Sequence, residues 1–325
     1  MAKTKDFKTV TEQLVILQQR GLTFGDEERI KRYLLTNNYY NIINGYSKFF
    51  QEEKSNLYRK DVTFDEIATL YFFDRELKIT LLNAILNAEH HLKSIFAYRF
   101  AEKHKNEKYA YLNFTSYDEK NSVQVSKIIL RLSQLIKRKT NRRKSTANNA
   151  IDFYVKRHND VPIWVLIDFI DFGTLCELIE IVPTSMQNKI AKDLNSFISE
   201  NLNQDVNMFE PEVMVSFIKN IHEIRNICAH NNRLLGYECR ADSKYFEQLC
   251  CHYNIAVKDQ RRSVYSVFLN LQCFLSRTEF CILNNTVRKR CKYLGSKINS
   301  IDSNEILSSI GFPKNWEKQP KLIQN

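Results

Sequence analysis

The sequence predicts an all-α protein, and three observations carry that class. Only 7 Gly and 5 Pro interrupt 325 residues. Apolar residues recur with a helical period along most of the chain, and no segment alternates apolar and polar positions as a half-buried strand does. A chain this long buries a proper core as one large or two modest domains. The patterning divides it into an N-terminal helical region at 1–60, a helical domain at 61–300 with a basic insertion near 120–160, and a C-terminal extension at 301–325.

Thr9 and Glu12 form a capping box that opens a helix over 9–21, burying Val10, Leu14 and Leu17 and stopping at Gly21. Asp26 opens a second helix with Ile30, Leu34 and Leu35 inward. An aromatic cluster follows at Tyr39, Tyr40, Tyr46, Phe49 and Phe50. Such density reads first as core; left exposed, Tyr39, Tyr40 and Tyr46 would offer faces to unpaired bases. Thr63 and Glu66 form another capping box, starting the longest helix, Phe64 to Lys103, which at 1.5 Å per residue is about 60 Å long. Ile67, Leu70, Leu77, Leu81, Ala84, Ala88, Leu92 and Ile95 give it a nearly heptad stripe, so it is expected to be the spine of a bundle. Asp74 falls inside that stripe, where a carboxylate needs a partner.

Another helix begins near Val125 and closes on Lys137, Arg138, Lys139, Arg142, Arg143 and Lys144, six cations in eight positions. Pro162-Ile163-Trp164 starts a helix that Asp171-Phe172-Gly173 ends or bends. Residues 184–200 bury Ile190, Leu194 and Ile198. Beyond the segment Pro211–Leu235, helices are expected near 242–256 and 261–286, using Phe246, Leu249, Tyr265, Phe268, Leu271 and Leu275.

A net charge of +11 favours an acidic partner, which in a cytosol means nucleic acid. The run at 137–144 is the candidate RNA contact, although cations at a helix C-terminus also complement its dipole. No signal peptide opens the chain, and its apolar runs are short or broken by acids. A soluble, cytoplasmic protein without a membrane partner is therefore expected. The 8 Cys include no C-x-x-C pair and read as reduced, mostly buried thiols. Cys239, Cys250, Cys251 and His252 fit no zinc spacing, so no metal and no cofactor is expected. The Asp171-Phe172-Gly173 triplet lacks the glycine-rich and H-R-D motifs of a kinase.

The chemistry concentrates in Pro211–Leu235. Met214, Phe217, Ile218, Ile221 and Cys228 give one stripe to bury. His222, Asn226 and His230, four apart, share another face, with Arg225 beside them. A permanent planar cation, an amide and two imidazoles make a phosphate-handling set with a proton donor or acceptor. The Arg-x4-His spacing recurs at Arg99 and His104, so spacing alone is weak, and a helix whose Arg and His merely cap and pair is the alternative.

The string Arg225-Asn226-Ile227-Cys228-Ala229-His230 resembles the R-N-x-x-A-H motif of the HEPN superfamily, in the form of Abi-like (abortive infection, AbiD/AbiF-type) proteins. Leu34 through Asn38-Tyr39-Tyr40 to Gly45-Tyr46, Asp74-Arg75-Glu76-Leu77 with Glu89, Pro162-x-Trp164 with Phe172-Gly173, and Ile310-Gly311-Phe312-Pro313 with Trp316 extend the resemblance over nearly the whole chain. It implies a HEPN-type bundle and a metal-independent endoribonuclease of a phage-defence or toxin–antitoxin system. Arg225, His230 and Asn226 would be catalytic, with Glu89, Asp74, His222 and Asn231 supporting and Arg225 a partner for Asp74 or Glu89. It further implies a homodimer with RNA as substrate and a small non-coding RNA as regulator. A non-catalytic RNA-binding or RNA-sensing protein is the alternative, and a helical interaction protein the third.

Overall fold

Two reciprocal caps set where the helices begin. Thr9 Oγ1 accepts the Glu12 N–H at 3.3 Å while the Glu12 carboxylate takes the Thr9 N–H at 2.7 Å. Thr63 and Glu66 repeat the arrangement at 3.3 and 3.1 Å, satisfying donors that a helix start leaves open. The computed structural model describes residues 6–140, 149–206 and 208–323. Its helices run α1 Val10–Gln19, α2 Glu27–Asn37, α3 Phe64–Lys103, α4 Ser122–Thr140, α5 Ala150–His158, α6 Ile163–Leu166, α7 Phe172–Ile181, α8 Thr184–Leu202, α9 Pro211–Ala229, α10 Glu247–His252, α11 Val264–Asn270, α12 Arg277–Lys297 and α13 Ser303–Ser308. Among the described residues there is no strand, only isolated bridges at Thr23 with Thr63 and Gln51 with Tyr58. The fold is all-α.

Local chemistry corrects four expectations. Leu35 is 75% exposed, because α2 buries only the narrow Ile30–Leu34 stripe. Asp171 starts α7 instead of ending a helix, since its carboxylate caps the Thr174 N–H at 2.7 Å. The helix expected at 261–286 is divided by Ser276, whose N–H and hydroxyl both reach the Glu279 carboxylate to open α12. The helix expected at 242–256 shrinks to α10, because Cys239 and Ser243 give their N–H groups to the Arg262 and Arg261 carbonyls.

The chain forms two compact units interleaved in sequence. Among the described residues, one gathers 6–82, 227–238 and 281–323; the other holds 83–226 and 239–280. In the first, Glu66 accepts the N–H groups of Asn299 and Ser300 at 2.7 and 2.9 Å, tying the start of α3 to the end of α12. In the second, Phe209, Phe217, Phe246 and Phe274 pack ring against ring, and Asn201 bonds the carbonyls of Gln272 and Leu275. The cysteines are free thiols, all buried except Cys251. No described helix is long and apolar enough to cross a membrane.

Candidate functional site

Helix α9 buries Met214, Phe217, Ile218, Ile221 and Ile224 and leaves His222, Arg225 and Asn226 half-buried. Those three form a chain of polar contacts within the second unit. Asn226 Nδ2 lies 3.1 Å from His222 Nε2, and Arg225 Nη1 lies 3.4 Å from Asn226 Oδ1. With the guanidinium donating to the amide oxygen, the amide nitrogen donates to the ring, so Nε2 accepts and the imidazole is neutral. Burial lowers the His222 pKa, and Arg225 lowers it further; Asp171, Glu223 and Glu89 oppose them and lose.

The seat for this imidazole comes from the start of α7. The Phe172 ring stands edge-on to His222 with centroids 5.7 Å apart. A Cβ on Gly173 would lie 3.2 Å from His222 Nε2, so a side chain there would press on the ring and displace it by a few tenths of an ångström. The Phe172-Gly173 pair thus shapes the place that His222 fills.

Arg225 has a buried Nε without a hydrogen-bond partner, and among the described residues no carboxylate pairs with its guanidinium. Glu89 instead takes Lys93, one turn along α3, at 2.9 Å, and its other oxygen is buried without a partner. The expected Arg225–Glu89 pair is therefore replaced by a pair within one helix.

In the first unit the motif continues as a helix terminus. Asn232 N–H bonds the Ile227 carbonyl at 3.1 Å and Asn231 N–H bonds that of Cys228 at 3.4 Å, with Asn231 at φ +54. This is a Schellman closure, and Asn tolerates its left-handed position. His230 is the C-cap residue. It is exposed, and among the described residues no hydrogen bond engages its ring.

The segment after His230 is locked to α3 through Asp74, which is 0% exposed. Asp74 Oδ1 accepts the N–H groups of Leu234 and Leu235 at 3.1 and 2.9 Å. Its Oδ2 accepts the Tyr46 hydroxyl at 2.8 Å and meets Lys78 Nζ at 3.1 Å. Lys78 fills the place expected for Arg225. Its ammonium also donates to Asn231 Oδ1 at 2.8 Å and to the Asn232 carbonyl at 3.2 Å. Burial, with the Asp74 charge beside it, pushes the Tyr46 phenol far above its ordinary range, so it stays a donor. Burial likewise raises the Cys228 thiol to about 12, which excludes it as a nucleophile near neutrality.

The remaining candidates divide. Lys137 and Arg138 are exposed at the end of α4, and Lys139 lies 5.0 Å from the Phe169 ring centroid. Arg142, Arg143 and Lys144 lie outside the described residues. Arg99 is held by Asp193 and Glu102, and His104 by Glu107 at 3.1 Å, so both members of the second Arg-x4-His spacing are engaged by carboxylates. Sequence reasoning missed Lys78, although its i+4 spacing from Asp74 is a pairing signal. It also missed the Phe172-Gly173 seat.

A family model described as Abi-like protein matches residues 32–236. The match takes in Tyr39-Tyr40, Asp74, the Phe172-Gly173 seat and the Arg225–His230 string, and leaves the terminal motif at 310–316 outside. No curated protein and no solved structure matches the chain.

Proposed function

The chain belongs to the Abi-like protein family, and from that premise we propose that it is a metal-independent endoribonuclease of the HEPN kind, acting in abortive infection or as a toxin. The observation that carries this reading is Arg225, a half-buried guanidinium that no carboxylate pairs with among the described residues. Leaving a cation partly desolvated and unpaired is costly, and the cost is recovered when an anion arrives. His230 in the same motif keeps an exposed, uncommitted imidazole. The two roles are assigned by the motif and not by a distance.

RNA brings its own nucleophile. His230 takes the 2′-hydroxyl proton, O2′ attacks the adjacent phosphorus, and the 5′-oxygen leaves with a proton from a second imidazole. The Arg225 fork spreads over two phosphoryl oxygens and neutralises the charge that builds on phosphorus. Asn226 holds the fork in place, and His222 holds Asn226. The products are a 2′,3′-cyclic phosphate and a 5′-hydroxyl. We take the second imidazole from a second copy of the chain, in a homodimer. Lys137, Arg138 and Lys139 are the candidate contacts for a regulatory small RNA.

The alternative is an RNA sensor without chemistry, since an unpaired Arg225 serves phosphate binding as well as cleavage. Incubating the purified protein with end-labelled RNA separates them. Cleavage should leave cyclic phosphate ends, and His230→Ala should slow it by about 10²–10⁴-fold with RNA binding retained. Intact binding without cleavage by the unaltered protein establishes the sensor. Full activity in both Arg225→Ala and His230→Ala removes the site altogether.

A further inference from the structure

The three residues that follow His230 line a cavity of about 350 Å³ whose other wall is the π-helical turn Tyr40–Asn44 with Gly45 and Tyr46. Every residue around it belongs to the first unit. The turn is unusual backbone, and such π turns concentrate at functional positions. It follows Asn38, held at φ 62, whose side chain accepts the Tyr40 N–H at 3.0 Å.

The lining is built for a planar, polar, anionic guest. Tyr40 is 67% exposed, an aromatic face with no place in the core. Tyr46, by contrast, is buried with its hydroxyl on Asp74, so it closes the floor and offers no stacking face. Asn41, Asn44 and Asn232 present amides without an intramolecular partner among the described residues, and amides match the donor–acceptor edges of bases. Arg233 reaches across to the Gly45 carbonyl, placing its cation at the rim. Lys48 stands near it: its Nζ lies 3.5 Å from where a Gly236 Cβ would be, and burial and the Arg233 charge both lower its pKa. The Arg233 charge is felt at Lys48, so the two cations share a field that favours an anion.

We propose that this cavity is a subsite for one unpaired nucleotide of an RNA strand. Tyr40 stacks on the base, Asn41, Asn44 and Asn232 meet its edge, and Arg233 with Lys48 takes an adjoining phosphate. The subsite deepens the ribonuclease reading and rests on it for its substrate class. It makes the strand single at this point, because a base inside a duplex has no free face to give Tyr40.

The test measures binding apart from cleavage, using full-length His230→Ala protein and fluorescein-labelled single-stranded RNA decamers in anisotropy titrations. Tyr40→Ala should weaken binding about 5- to 150-fold, the range for losing one stacked base, while Tyr40→Trp retains it. Duplex RNA binding and thermal midpoint should not change with either. Lys48→Gln should lower the slope of log affinity against log salt by about 0.7. Unchanged single-strand affinity in Tyr40→Ala, or equal loss for single-stranded and duplex RNA, overturns the subsite, as does the absence of RNA binding by the His230→Ala protein. Tyr40-dependent binding alongside no cleavage by the unaltered protein supports the subsite and sinks only the nuclease.

Discussion

His222 shows how a polar side chain is held by what surrounds it. Phe172 and a missing Cβ at Gly173 give it room, and Asn226 gives it a donor on Nε2. The result is a neutral imidazole in the folded protein, with a pKa below its ordinary value. The sign follows from proton counting. Between the folded value and about 6.5 the unfolded chain binds a proton that the folded one refuses, so stability is full above that window and lost as pH falls through it. Urea midpoints measured at pH 7.5 and 5.5 should therefore drop with acid, and drop less in His222→Gln; equal drops would remove the neutral seat. The helical spacing made His222 legible as part of a polar face. Its seat was not, because Asp171-Phe172-Gly173 reads as a breaker until the Asp171 carboxylate is seen capping Thr174.

At the scale of elements, α9 does not simply stop; it is turned back on α3. The Schellman closure at Asn231 bends the chain after His230, and the buried Asp74 then takes two backbone N–H groups from that segment. A buried ion pair such as Asp74–Lys78 adds little net stability, but removing one partner strands the other. Asp74→Ala should accordingly cost about 3–5 kcal/mol in denaturant unfolding, and Asn231→Ala about 1–2 kcal/mol through its left-handed backbone. Asn231→Gly, which also lacks the amide but accepts that backbone, should cost less than Asn231→Ala; equal costs would mean that the lost amide bonded to Lys78, and not φ, sets the penalty. Asp74 was readable as a carboxylate needing company, and Lys78 sits at the spacing that supplies it. The donors of Leu234 and Leu235 were not readable, because a backbone N–H carries no signal in a sequence.

For the whole molecule, the all-helical class and the full span of α3 follow directly from caps and periodicity. The division into two interleaved units does not, because both α3 and α9 pass from one unit to the other without any change in composition at the crossing. The proposed chemistry needs two proton transfers on opposite sides of phosphorus, removal from the 2′-hydroxyl and delivery to the leaving oxygen, and we take the second imidazole from the His230 of a second copy. If two copies share a cleft, activity depends on pairs of His230 and not on their number. Mixing equal amounts of unaltered and His230→Ala protein, after denaturation and joint refolding, should leave about one quarter of the dimers with both imidazoles. Independent sites would leave about one half of the activity. A measured rate near one quarter, with dimeric mass by sedimentation, supports the shared cleft. A rate near one half, or a monomer that cleaves, assigns both proton transfers to a single chain and directs attention to His222 as the second imidazole.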